Sequence, residues 1–171
     1  AESFSRELIR EDINPVLYRL ATEGVQIEDF YQPAWGGSTT GGEMSNLFGV
    51  VPDCSGGMFQ ITNQHPFITM GYQLSAQGYF SMAFHNNTGT FYERNGTHIN
   101  LGYDEFITPD NGLQVKGCWP QSDLEMMVDT IPRYIDHQPF SVYYMTVSGH
   151  SVYEVNHNAM SKKNYAIVED L

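Results

Sequence analysis

Two neighbouring hydroxyls, Thr39 and Thr40, lie between the glycine pairs Gly36-Gly37 and Gly41-Gly42, and Glu43 closes the run. Apolar residues at helical spacing follow over 44–48, so the hydroxyls stand where a loop feeds the start of a helix. A helix start offers free backbone N–H groups and the positive end of the macrodipole, and both suit a phosphate or sulfate. A threonine placed there can cap the helix, or it can attack phosphorus when a metal lowers its pKa. Glycine loops with a Thr cap are common, so the run alone does not decide between the two.

Other reactive groups fall where apolar runs end. His85-Asn86-Asn87 follows Tyr79–Phe84, and Ser148-Gly149-His150 follows Phe140–Val147. Arg94 offers a planar fork that grips phosphate from two nitrogens or pairs with a surface carboxylate. Tyr92 suits either a ligand wall or the core. His85 and His150 read equally as plain buried histidines, and Asn87 as the cap of a turn.

The elements that must position these groups alternate. Asn14, Pro15 and Gly24 bracket a helix with an apolar stripe at Val16, Leu17, Leu20 and Ala21. An extended run over 25–31 precedes the glycine loop. A helical pattern over 66–77 ends at Gly78, and a buried-type strand over 79–84 follows. A helix is expected over about 90–100 and a short strand over 105–107. Ser122 caps another helix, in which Leu124, Met127, Val128 and Ile131 share a face, and 140–147 is the second strongly apolar strand. Strands alternating with helices imply a mostly parallel sheet with helices on both faces, an α/β fold whose site gathers beyond the carboxyl ends of the strands.

At 171 residues the chain suffices for one domain, 1–171, with a sizeable core. Twenty acidic against eight basic residues leave a formal charge of −12 with no basic stripe, which argues against nucleic acid as a partner. Cys54 and Cys118 have no metal-type spacing, and their pairing stays open. No run approaches the roughly 20 apolar residues of a membrane span, and no signal peptide is visible. With Ala first and no stop signal after the last helix, the chain reads as cut from something longer at both ends. Nothing in the sequence speaks to oligomeric state.

With those residues assembled, the chain resembles the extracytoplasmic catalytic domain of the lipoteichoic acid synthase-like phosphoglycerol transferases. These belong to the sulfatase branch of the alkaline phosphatase superfamily. The likeness runs through Glu2-Ser3-Phe4, Gly37-Ser38-Thr39-Thr40 with Glu43, and Gly78-Tyr79 leading to Phe84-His85. It continues in Thr90-Phe91-Tyr92-Glu93-Arg94, then Leu101–Phe106, then Pro139-Phe140 running on to Ser148-Gly149-His150. True sulfatases use Cys or Ser in Cys/Ser-x-Pro-x-Arg, and Cys54-Ser55-Gly56-Gly57 lacks both the Pro and the Arg.

The resemblance implies the N-terminal portion of a partial alkaline phosphatase-like fold. It implies one divalent cation, Mn2+ or Mg2+, on Glu2, on the nucleophile Thr39 and on a late Asp-His pair. Asp136-His137 precedes the strand at 140–147, so it reads as a helix-end turn, and the pair is expected beyond Leu171. The implied substrate pocket is His85, Asn87, Tyr92, Arg94 and His150. Asn87 stands where the family has Asp, and Tyr92 where Trp is more familiar.

The implied activity is transfer of glycerophosphate from phosphatidylglycerol, or a similar anionic lipid headgroup, in cell-envelope polymer synthesis. The expected location is the outer face of a bacterial membrane, held by segments absent here. The alternatives are a related sulfatase-family hydrolase or phosphoethanolamine transferase, or a non-catalytic fragment lacking half the metal site. The chain alone is expected to turn over little or nothing.

Overall fold

The computed structural model describes residues 3–31, 39–52, 62 and 68–169. Its centre is a three-stranded, fully parallel sheet of β1 (Phe80–His85), β2 (Glu105–Ile107) and β3 (Phe140–Met145), in the order β2-β1-β3. Parallel strands are covered on both faces, which is why β1 reads as a near-continuous apolar run. Strand alternation sorts its side chains. Met82 and Phe84 join Ile107, Leu113, Met126 and Tyr134 in one cluster, and Ala83 joins Leu47, Leu101, Tyr103 and Phe106 in the other. Met126 and Tyr134 belong to helix α5 (Asp123–Tyr134), and Leu47 to helix α2 (Thr39–Phe48). Helices therefore cover both faces, as the alternation implies.

The remaining helices are α1 (Pro15–Glu23), α3 (Met70–Ser75), α4 (Arg94–Asn100) and α6 (Ala159–Glu169). Ser122 caps α5 by accepting from the Glu125 amide, as expected. Thr69 caps α3 in the same way, so that helix is shorter than the pattern over 66–77 suggests; positions 66 and 67 lie outside the described residues. At α1, Gly24 closes the last turn on the Leu20 carbonyl, but Asn14 spends its side chain on the Leu8 carbonyl rather than on a cap.

Three expectations need correction. Residues 25–31 form no strand: they are turn and coil, with Val25, Ile27, Phe30 and Tyr31 exposed. An extended apolar run is a strand only where a neighbouring ladder takes its backbone groups. On α5 the inward face is Met126, Thr130 and Tyr134, while Leu124, Val128 and Ile131 point outward. Both stripes have helical spacing, and the fit of Met126 and Tyr134 beneath Phe84 selects the first. Residues 90–100 are a short 3-10 turn, Phe91–Glu93, then α4, separated by left-handed backbone at Tyr92 (φ 57°) and Glu93 (φ 55°).

Candidate active site

A cavity of about 300 Å3 opens beyond the carboxyl ends of β1 and β3. Thr39, His85, Asn87, Tyr92, Arg94 and His150 all line it, although they come from widely separated stretches of chain. Each owes its place to a local cause. Thr39 is the first residue of α2, His85 the last of β1, Arg94 the first of α4, and His150 follows β3. Glu2, the remaining residue of the expected set, lies outside the described residues, as does Cys54; the Cys118 thiol donates to the Pro120 carbonyl at 3.4 Å. Thr40 is the second residue of α2 and buried.

Arg94 is 1% exposed, and its partner is a buried carboxylate rather than a surface one. Its Nη2 donates to Glu43 Oε2 at 2.7 Å, its Nη1 to the Phe91 carbonyl at 3.4 Å, and its guanidinium carbon stands 5.0 Å from the Tyr92 ring centre. Among the described residues its Nε–H has no partner. Through Oε1, Glu43 also accepts from the Tyr143 hydroxyl at 3.3 Å, and His98 Nε2 lies 3.5 Å from that same oxygen. Burial alone would push the Glu43 carboxyl up; the His98 hydrogen bond and the Arg94 charge more than reverse it, and the group stays ionised. Burial and the Glu43 charge push the Tyr143 hydroxyl up, which keeps it a donor.

His85 donates from Nδ1 to the Met145 carbonyl at 3.0 Å, which leaves Nε2 as the ring's acceptor. Burial, with Arg94 nearby, lowers its pKa to about 4, so the imidazole is neutral at physiological pH. His150 packs edge-on against Trp119, ring centres 4.8 Å apart, and pairs through Nδ1 with the Ser151 carbonyl. Asn87 turns its side-chain oxygen to the Thr88 amide at 2.7 Å, as a turn cap does. One residue upstream, Asn86 donates to Asp123 Oδ1, which also accepts from the Val147 amide. That carboxylate ties together the chain ends leaving β1 and β3.

Phe91, Trp119, Met145 and Val147 complete the lining, and none was singled out as a site residue from the sequence. Trp119 sits in an irregular stretch with no periodicity to flag it. A larger hollow of about 610 Å3 lies beside α6, lined by Leu8, Tyr153, Val155 and Met160 among others, and it holds no ionisable pair. The smaller cavity is the chemical one: a cation, a neutral imidazole and a helix N-terminus converge on it, and among the described residues no carboxylate lines it. Such a wall favours an anion.

Among the described residues no three His, Cys, Asp or Glu side chains gather to hold a metal ion. Of the expected ligands only Thr39 is described. Asp136-His137 lies in the turn after α5, where the His137 ring stacks on Phe80 at the opposite end of β1, so the helix-end reading holds. The described side chains do not by themselves fit a cation.

The sulfatase family model matches residues 3–168. The chain is 27% identical over 150 residues to the lipoteichoic acid synthase-like protein YvgJ of Bacillus subtilis (strain 168), covering 85% of this chain and 24% of that one. Among solved structures it superposes on the lipoteichoic acid synthase LtaP from Listeria monocytogenes with a TM-score of 0.64 and 22% identity, over 74% of this chain and 32% of that one. A protein in the alkaline phosphatase superfamily from Vibrio parahaemolyticus gives a TM-score of 0.57 at 22% identity, over 71% of this chain and 31% of its own. The chain thus spans about a quarter of the length of that curated relative. No described helix is long and apolar enough to cross a membrane. With the matching model running nearly end to end, the chain belongs to the sulfatase family, has the alkaline phosphatase-like fold, and is similar to lipoteichoic acid synthase-like proteins.

Proposed function

We propose that this chain is part of a phosphoglycerol transferase that takes glycerophosphate from phosphatidylglycerol through Thr39. The single supporting observation is the cavity that Thr39 shares with Arg94, His85 and His150 at the strand ends. Thr39 Oγ1 attacks phosphorus, the bond to the diacylglycerol oxygen breaks, and diacylglycerol leaves with a proton. An acceptor hydroxyl then attacks the same phosphorus, the bond to Thr39 breaks, and the threonine recovers its proton. Arg94 and the start of α2 oppose the phosphoryl charge, and neutral His85 is able to accept a proton from a hydroxyl.

The parent protein supplies the membrane anchor and completes a Mn2+ or Mg2+ site around Thr39 and Glu2. A divalent ion there would make the threonine alkoxide accessible. The test is release of diacylglycerol from fluorescent phosphatidylglycerol by the full-length protein in Mn2+. Thr39→Ala is expected to lower turnover at least about a thousandfold, and a chelator to stop the parent reversibly. The 171-residue chain alone is expected to be inactive. Turnover by Thr39→Ala at the parent rate would sink the assignment, as would release from phosphatidylethanolamine alone.

A further inference from the structure

We propose that Glu43 is the positioning residue of this site, holding the Arg94 guanidinium in one orientation relative to Thr39. The inference rests on the reading of the cavity as a phosphoryl-transfer site. Glu43 is four residues past Thr39 in α2, so the two share a helix face one turn apart. Its carboxylate reaches Arg94 at the start of α4, with His98 one turn further along, and Tyr143 in β3. One buried group thus fixes the register of the helix carrying Thr39, the helix carrying Arg94, and the strand feeding His150.

A purely structural account fits poorly. Buried ion pairs are often no more stable than apolar residues of the same volume. This pair also leaves a buried donor, Arg94 Nε–H, without a partner among the described residues. Native proteins seldom leave such a donor unsatisfied, so burying this pair costs the fold more than an apolar filling would. With Nη2 on Glu43, Nη1 on Phe91 and the ring of Tyr92 alongside, the guanidinium cannot swing to follow a ground-state ligand. A guanidinium held in this way presents its charge to one geometry of the phosphoryl group, and the charge of Glu43 keeps it from gripping any phosphate equally well.

The test separates the two states of phosphorus. Full-length parent and Glu43→Gln protein would be titrated by calorimetry with inorganic phosphate and with orthovanadate, a mimic of the five-coordinate transition state. Expected for Glu43→Gln is phosphate affinity within about threefold of the parent, or tighter, with orthovanadate weakened about 10–100-fold, the usual range for a supporting residue. A parallel loss of both, or no change in either, would overturn the inference. If Glu43→Gln does not fold, Tyr143→Phe keeps the ion pair and loosens only its far side. A loss of about two- to fivefold for orthovanadate alone is then expected, and an unchanged ratio would overturn it. Since neither anion requires turnover, a parent inactive on phosphatidylglycerol sinks the donor assignment but leaves this measurement standing. A parent that binds neither anion overturns both.

Discussion

On one side of β1, Met82 and Phe84 meet Met126 and Tyr134 of α5, with the hydroxyls of Thr130 and Tyr144 paired at 2.7 Å among them. On the other side, Ala83 lies among Leu47, Leu101 and Phe106, and His98, stacked on Phe106 at 4.5 Å, brings the Glu43–Arg94 pair against the same core. The same strand is thus packed by oil on one face and by a charged network on the other. The α5 side is sufficient to hold a sheet, so burying ions is not something this fold requires. They are buried where a cavity opens above them, which ties that packing to the site rather than to stability.

The largest test of this contrast is Arg94→Met, which leaves Glu43 buried without its cation and should cost about 3–5 kcal/mol in urea unfolding at neutral pH. A cost below about 1 kcal/mol would put the two faces on the same footing. Next in size is Met126→Ala on the apolar side, expected to cost about 2–5 kcal/mol through the cavity it leaves. Its turnover per folded molecule should stay at the parent value in the full-length protein, and a fall would break the division of labour.

Smaller again is a pH effect confined to the charged side. Folded His85 has its pKa lowered to about 4 against an ordinary 6.5, with Arg94, Glu43 and His98 as its charged neighbours. The unfolded chain therefore binds the extra proton between those values, so stability is full above pH 6.5 and is lost as pH falls toward 4, by up to about 3 kcal/mol. Glu43, held below its ordinary range, adds a loss of the same sign below its unfolded pKa. His85→Gln should flatten the slope between pH 6.5 and 4 while leaving the lower limb, and an unchanged slope would remove His85 from the account.

The cavity wall was legible because each of its polar residues follows an apolar run or opens a helix, and parallel strands deliver such positions to one end of the sheet. Glu43 was visible as part of a motif, but its role was not. Its partner lies 51 residues away, and pairing over that distance leaves no local signature. The phase of α5 was unreadable for a related reason: two stripes of equal period ran along it, and only the surface beneath Phe84 chose between them. The run at 25–31 had strand chemistry without a strand's neighbour. Trp119 enters the wall from an irregular segment, where neither period nor cap marks it.

The left-handed pair at Tyr92 and Glu93 narrows how this rim can be altered. Each such backbone costs a side-chain-bearing residue about 1–3 kcal/mol, and β-branched residues tolerate it least. Anyone recruiting the pocket to another headgroup would do well to leave Val, Ile and Thr out of a library at 92 and 93. Diversity belongs at Phe91 and Trp119, whose side chains stand open to solvent and whose backbone is not left-handed.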